Sequence, residues 1–264
     1  MFILPRHYFG IGSSVMESVV LKEHERIDQL IREQRQIIQS KEFFSFSLDA
    51  VLLADFVRLP NRRSFRYLDF CSGNGIIPLL LSGRTTAKLE GIELQAPLVD
   101  MAQRSIQLNQ LEHQITITQG DINQLSKPSI PYDIITCNPP YFLVESSKGL
   151  HHLTSHQLAR HEVSLTMAQW IKKAGQLLRD KGRLYIVHRP ERLDDLMEHL
   201  LAHQFSVHRI KFAHPKKEAL ANIVLIEAIY RGGRRGIRIE PPIIVHDNQH
   251  QYTKEMQAIY FGAG

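Results

Sequence analysis

Five short runs rich in β-branched and aromatic residues alternate with stretches of helical periodicity. The runs are Arg66–Phe70, Leu89–Leu94, Ile115–Thr118, Tyr132–Cys137 and Arg183–His188. The helical stretches run to Leu81 after the first, over Pro97–Asn109, from about Ser164 to Leu178, and over Glu191–His203. This rhythm constrains the chain more than any other feature. A strand that returns through a helix to the next strand must cross over, and crossovers build mostly parallel sheets buried on both faces. Two final runs, Phe205–Phe212 and Ile223–Tyr230, have no helix between them and predict an antiparallel hairpin. The expected fold class is α/β, a seven-stranded, mostly parallel sheet closed by that hairpin.

Upstream, Ile27, Leu30 and Ile31 among charges predict an amphipathic helix over Glu23–Arg35. Ile37-Ile38 and Phe43–Phe46 read as short extended pieces, and Asp49–Phe56 as an apolar helix. Residues 1–15 carry Pro5, Gly10 and Gly12 and read as a loose tail or an extension ahead of a start at Met16. The expected organisation is 1–15 as that tail, 16–65 as a helix with short strands, 66–245 as the main domain and 246–264 as a C-terminal tail. Trp170 is expected in the core.

With 43% hydrophobic and 22% charged residues the chain is no disordered protein. Cys71 and Cys137 are its two cysteines and form no CxxC pair, which excludes a disulfide framework or a zinc ribbon. His151, His152, His156 and His161 lack metal-ligand spacing, so no metal is expected. No apolar run approaches the roughly 18 residues of a membrane span. Arg6 and His7 interrupt the apolar N-terminus, so no signal peptide is read and a cytoplasmic location is the default.

In open α/β sheets, ligands bind beyond the carboxyl ends of the strands. Three chemically loaded sequences lie at such ends. The first is Asp69-Phe-Cys71-Ser72-Gly73-Asn74-Gly75, a strand-to-helix turn whose glycines permit close backbone approach to a ligand. A dinucleotide fingerprint needs a third glycine where Pro78 stands, and Asp69 would repel a pyrophosphate. Asp69 instead suits an ammonium or a hydroxyl donor. The second is Glu93, about 20 residues after the loop, where a carboxylate can accept from two ribose hydroxyls. The third is Asn138-Pro139-Pro140-Tyr141. Two prolines make a rigid rim of carbonyls beside the Asn138 amide. Asn138 Oδ1 and the Pro139 carbonyl can each accept one N–H of a planar amino group, with Tyr141 stacked behind the ring. Asp121 in Gly120-Asp-Ile122 suits an exocyclic amine with Ile122 against the ring, and suits equally the N-cap of a following helix. Each sequence also reads as a plain turn or surface residue when taken alone; their joint occurrence carries the argument.

Together, Asp69…Gly73-x-Gly75, Glu93, Asp121 and Asn138-Pro-Pro-Tyr141 resemble a class I S-adenosylmethionine-dependent methyltransferase, with its Rossmann-like fold. The tetrad is similar to that of enzymes that methylate amino groups of adenine, guanine or a glutamine amide. Phe44-Ser-Phe-Ser-Leu-Asp49, Ala159-Arg-His161-Glu162 and Arg231-Gly-Gly-Arg-Arg-Gly236 extend the resemblance to the bacterial enzymes that methylate N6 of adenine-37 in valine tRNA. It spans about residues 20–245. It implies S-adenosylmethionine as cofactor and tRNA as partner. It implies that Asp49, Asp69, Cys71, Ser72, Gly73, Asn74, Gly75, Glu93, Leu94, Asp121, Ile122 and Asn138 bind the cofactor, under a flap formed by part of 16–65. It implies that Asn138, Pro139, Pro140 and Tyr141 hold the target amine. The family often has Gly where Cys71 stands. Cys137 should lie near Cys71, and a reducing cytoplasm keeps both thiols free.

A glutamine N5-methyltransferase shares the tetrad but carries a helical domain ahead of the cofactor loop, and only about 65 residues precede Asp69 here. A DNA adenine methyltransferase usually adds a recognition domain that 264 residues do not accommodate. The net charge is +5, and residues 205–239 hold eight basic residues against two acidic ones. The excess predicts a local RNA-binding surface from Lys216, Lys217, Arg231, Arg234, Arg235 and Arg238. A solubilising charged hairpin would have the same composition.

Overall fold

The computed structural model describes residues 19–43, 48–61, 64–140 and 165–262. The expectations for 1–15, Phe44–Phe46, Tyr141, the histidines between 151 and 161, and Ala159–Glu162 lie outside them. Elements are numbered over the described residues.

The chain opens with a hairpin of β1 (Glu25–Leu30) and β2 (Arg35–Ser40). This replaces the helix expected over Glu23–Arg35. Ile27, Leu30 and Ile31 fit a helical stripe, but Arg26 and Asp28, two apart, share a strand face and pair at 3.0 Å. His24 and Gln34 bracket β1 in left-handed conformations that end a helix. The tie to the rest of the molecule decides the outcome. The outer edge of β2 has no strand neighbour among the described residues, and side chains take its place. Asn109 accepts from Gln36 N–H at 2.8 Å and donates to Gln36 O at 2.6 Å. Ile38 N–H donates to Ser105 Oγ at 2.9 Å, and Asn74 Nδ2 donates to Ile38 O at 3.0 Å. These groups need an extended backbone opposite them.

There follow α1 (Leu48–Phe56), β3 (Tyr67–Phe70), α2 (Ile76–Ser82), β4 (Leu89–Glu93), α3 (Ala96–Leu108), β5 (Ile115–Gln119) and β6 (Tyr132–Cys137). Then come α4 (Met167–Leu177), β7 (Leu178–His188), α5 (Leu193–Ala202), β8 (Phe205–His214) and β9 (Ile223–Tyr230). Two short strands, β10 (Arg238–Ile239) and β11 (Ile243–Ile244), and a helix α6 (Lys254–Phe261) complete the chain. The main sheet has nine strands in the order β10-β8-β9-β7-β6-β3-β4-β5, with β11 also beside β8. Strands β3 to β7 are parallel, and β9 runs antiparallel between β7 and β8. This is the α/β fold read from the sequence, with two extra edge strands.

Both faces are covered. One core packs α1, α2, α3 and α6 residues against Tyr67, Leu89, Ile117, Ile134 and Tyr185. The other packs Trp170, Ile171, Leu196 and Leu200 against Leu68, Phe70, Ile135 and Ile186. Helix α1 is buried almost all round, as its unbroken apolar run requires. Within the stretch expected as a C-terminal tail, the described residues 246–262 fold onto the core. Thr253 caps α6 by accepting from Met256 N–H, and Met256 and Ile259 enter the first core. The eight-residue helix escapes periodicity analysis because only those two positions are buried.

Removing the side-chain partners of β2 strands buried backbone groups. Ser105→Ala and Asn109→Ala should each lower unfolding stability by about 1–3 kcal/mol in urea titrations. An unchanged midpoint in both would show that side chains do not hold that edge.

Candidate active site

The chain runs β3, β4, β5 outward in one direction, then returns to β6 and β7 on the other side of β3. The topological switch point therefore lies between β3 and β6, where Phe70 pairs with Cys137. The loop after β3 and the Asn138-Pro139-Pro140 rim after β6 emerge there side by side.

The loop is left-handed at three of its five residues. Cys71 has φ 53°, Gly73 φ 57° and Gly75 φ 81°. A side chain at Gly73 would meet nothing within 4 Å, so the loop faces open space at that point. Gly75 sits under α3, where a Cβ would come within 3.3 Å of Ala102 Cβ. Cys71 occupies a conformation that favours glycine, which accounts for the glycine common at this position in the family it resembles.

Glu93 ties the loop to the end of β4. Its carboxylate accepts Gly73 N–H at 2.9 Å with one oxygen and Gln95 N–H at 2.9 Å with the other. Each oxygen keeps a lone pair for a ligand. Leu94 beside it is exposed. Gly120 N–H donates to Glu93 O at 2.9 Å and brings the β5 end alongside. There Asp121 accepts Asn123 N–H at 2.8 Å and caps a short 3-10 turn, while Ile122 is buried with Ile92. Of the two readings open for Asp121, the cap is observed.

Asp69 does not line the surface. It is fully buried and accepts from Ser72 Oγ at 2.8 Å and from Thr136 Oγ1. Tyr67 Oη lies 2.6 Å from the same Thr136 oxygen. Of the ammonium and hydroxyl partners open to this carboxylate, hydroxyls occupy it. Burial, reinforced by the charge of Glu93, raises its pKa from 3.8 to about 7. Gly91 on β4 makes room for this arrangement, since a Cβ there would stand 2.7 Å from Ser72 Oγ. Thr136 and Gly91 escaped sequence analysis; a small or hydroxylated residue inside an apolar strand is their only signal.

On the rim, Asn138 is half-buried, Pro139 buried and Pro140 exposed. Cys137 and Cys71 are free thiols in contact, and burial together with its neighbour pushes the Cys137 thiol well up. Asp49, in the first turn of α1, is buried, and Arg189 Nη2 reaches it at 4.0 Å from the end of β7. Arg189 was also missed by sequence reasoning. His188 is held neutral, its pKa lowered to about 4 by burial. Among the described residues no three His, Cys, Asp or Glu side chains come together as a metal site.

The six cations expected to form one RNA surface separate. Lys216 and Lys217 follow β8 at the sheet edge from which the glycine loop and Asn138 emerge. Arg231, Arg234 and Arg235 follow β9, which runs the other way, and lie towards the opposite end, roughly 30 Å off by strand rise. Arg238 lies between, on the outer strand. Arg231 also pairs with Asp180 at 3.2 Å. Arg209, counted in the excess, is buried between Glu227 and Glu240 against the Phe56 ring.

The family model of the methyltransferase small domain matches residues 49–214, from α1 to the end of β8. The chain belongs to this family. It is similar to the tRNA1(Val) (adenine(37)-N6)-methyltransferase of Parabacteroides distasonis, with 28% identity over 218 residues, 80% of this chain and 86% of that one. The protein of the same name from Photorhabdus laumondii is 28% identical over 216 residues, 80% of this chain and 84% of its own length. Among solved structures, a predicted O-methyltransferase from Agrobacterium tumefaciens gives a TM-score of 0.63 at 22% identity, over 81% of this chain and 96% of that one. A geranyl diphosphate C-methyltransferase from Streptomyces coelicolor, solved with S-adenosyl-L-homocysteine, gives 0.51 at 11% identity, over 68% of this chain and 77% of that one. These structural likenesses are of fold. Membership of the small-domain family makes the protein a methyltransferase.

The raised pKa of Asp69 has a sign. Its protonated form is favoured by folding, so the stability it contributes is complete below about pH 4 and is lost as pH rises through about 7. The loss amounts to about 4 kcal/mol once the group ionises. Asp69→Asn should flatten the pH dependence of the melting temperature over this window. Identical pH profiles for the two proteins would refute a raised pKa at Asp69.

Proposed function

We propose that the protein is an S-adenosylmethionine-dependent N6-adenine methyltransferase acting on tRNA, with adenine-37 of valine tRNA as its target. One observation carries this reading. A glycine loop and an Asn-Pro-Pro rim meet at one switch point, in a chain whose relatives over four-fifths of its length bear that activity in their names.

The site fits the cofactor. The open space above Gly73 admits its methionine end against the Ser72–Gly75 backbone. The free lone pairs of Glu93 suit ribose hydroxyls, and Leu94, Asp121 and Ile122 flank the place of the adenine. Asp69 supports the loop from beneath and contributes negative charge below the ammonium as it ionises. Asp49 and Arg189 close the near side of α1. When bound, S-adenosylmethionine supplies an electrophilic methyl group on a sulfonium leaving group.

The protein then has to orient the acceptor. Asn138 Oδ1 and the Pro139 carbonyl each accept one N–H of the target amine and turn its lone pair toward the donor. The two prolines fix φ at successive positions of the rim and so restrict how far it can move. Tyr141 stacks on the extruded base in the role its sequence position suggests. No strong base is needed, since the proton leaves after the charged product forms. Arg234 and Arg235 contact phosphates remote from the target nucleotide. A tRNA substrate makes the cytoplasm the working compartment, and no helix among the described residues is long and apolar enough to cross a membrane.

Incubation with methyl-labelled S-adenosylmethionine and total tRNA, followed by digestion to nucleosides, should yield labelled N6-methyladenosine. Label in a release-factor-sized protein, with none in RNA, would replace this reading with glutamine methylation. Asn138→Ala should lower kcat by about 100-fold or more and leave cofactor affinity nearly unchanged. Normal turnover in that variant would remove Asn138 from the acceptor site. Joint reversal of Arg234 and Arg235 to Glu should weaken tRNA binding and flatten its salt dependence, with cofactor binding intact.

A further inference from the structure

The loop from Pro215 to Asn222 joins β8 to β9 and stands over the same sheet edge as Asn138. Strand β9 neighbours β7 and β7 neighbours β6, so the strands that carry the loop lie two to three strand spacings, about 10–15 Å, to the side of β6, and the loop rises from them roughly 10 Å beyond the level of Cys137. Its backbone is fixed from several sides. Asn222 N–H donates to Ala213 O at 3.1 Å, and Ala219 N–H to Lys216 O at 3.0 Å. His214 Nδ1 lies 2.8 Å from Ala219 O. Arg189, which also reaches Asp49, donates to Asn222 O at 2.9 Å. His246 N–H donates to Pro215 O at 3.0 Å.

A loop held this firmly sets its side chains at defined positions, and the one it sets outermost is apolar. Leu220 is 90% exposed, more than any other large hydrophobic residue among those described. Burial cannot explain a leucine there. Lys216 and Lys217 precede it, with Glu218 as the loop's only acid. Lys216 Nζ lies 3.0 Å from His250 Nε2, while Lys217 is exposed. An apolar tip beside cations, on a stiff support at the rim of a site for an extruded base, matches the chemistry of a wedge. Such side chains occupy or prop the stack that a departing base leaves, while basic neighbours hold the backbone.

We propose that the β8–β9 loop is an RNA-contact element in which Leu220 packs against the bases flanking the target nucleotide and Lys217 holds an adjacent phosphate. The inference rests on the RNA reading given above and adds to it the residues that open the substrate.

Steady-state methylation of tRNA by the full chain tests it, with cofactor affinity and melting temperature measured alongside. Leu220→Ser should lower kcat/KM for tRNA by about tenfold or more, and Leu220→Met should retain most of the wild-type value. Both should keep wild-type cofactor affinity and melting temperature. Lys217→Glu should raise KM for tRNA and flatten its salt dependence. An RNA hairpin with 2-aminopurine beside the target adenine should brighten on binding the wild type, and less so with Leu220→Ser. If the wild type methylates tRNA and Leu220→Ser matches it in kcat/KM and in 2-aminopurine response, the wedge is wrong and the functional reading stands. If the wild type neither methylates nor binds RNA, the functional reading itself falls, and the wedge with it.

Discussion

A carboxyl group with no access to water holds the two halves of the site together. Asp69 belongs to β3, Ser72 to the glycine loop and Thr136 to β6, and both hydroxyls donate to the one side chain. Tyr67 extends the chain of hydrogen bonds into the core. A buried polar network fixes geometry well only when every member is satisfied, and no buried side-chain nitrogen or oxygen among the described residues lacks a partner. This network ties the glycine loop to β6, the strand that leads into Asn138. Glu93 does the same on the other flank by binding Gly73 to the end of β4.

The N-terminal hairpin belongs to that assembly. Its β2 edge is completed by Asn109 and Ser105 from α3 and by Asn74 from the loop. Arg104 adds ion pairs to Glu25 at 2.6 Å and to Asp100 at 2.6 Å. The hairpin edge is therefore completed by side chains instead of by a strand ladder. Leu30 and Ile37 also enter the first core, whereas the glycine loop is tied to the sheet by the hydrogen bonds of Asp69 and Glu93.

The sheet was legible because β-branched runs at regular spacing admit few other structures. The positions of Gly73, Gly75, Glu93 and Asn138 followed from strand ends alone. Four things were not legible, each for a physical reason. Ile27, Leu30 and Ile31 fit a helix as well as a strand, and the partners that select the strand lie some 70 residues away. The buried depth of Asp69 depends on strand pairing that the local sequence does not encode. Helix α6 is too short to show its period. The basic cluster was contiguous in sequence and is divided in space, because successive strands of a hairpin point their ends in opposite directions. Charge counted along a chain locates a surface only after strand direction is known.

Asn74 is followed by Gly75, the pairing most prone to lose ammonia when the next backbone nitrogen attacks the side-chain amide. In the folded protein that nitrogen donates to Ser72 O at 2.9 Å, and the amide itself donates to Ile38 O. The bonds that shape the loop therefore also shield it from chemical ageing. A chain that lingers unfolded exposes this pair and acquires an aspartate, which as a carboxylate has nothing to donate to Ile38. The history of a molecule before it folds would thus be written into the fit of its N-terminal hairpin.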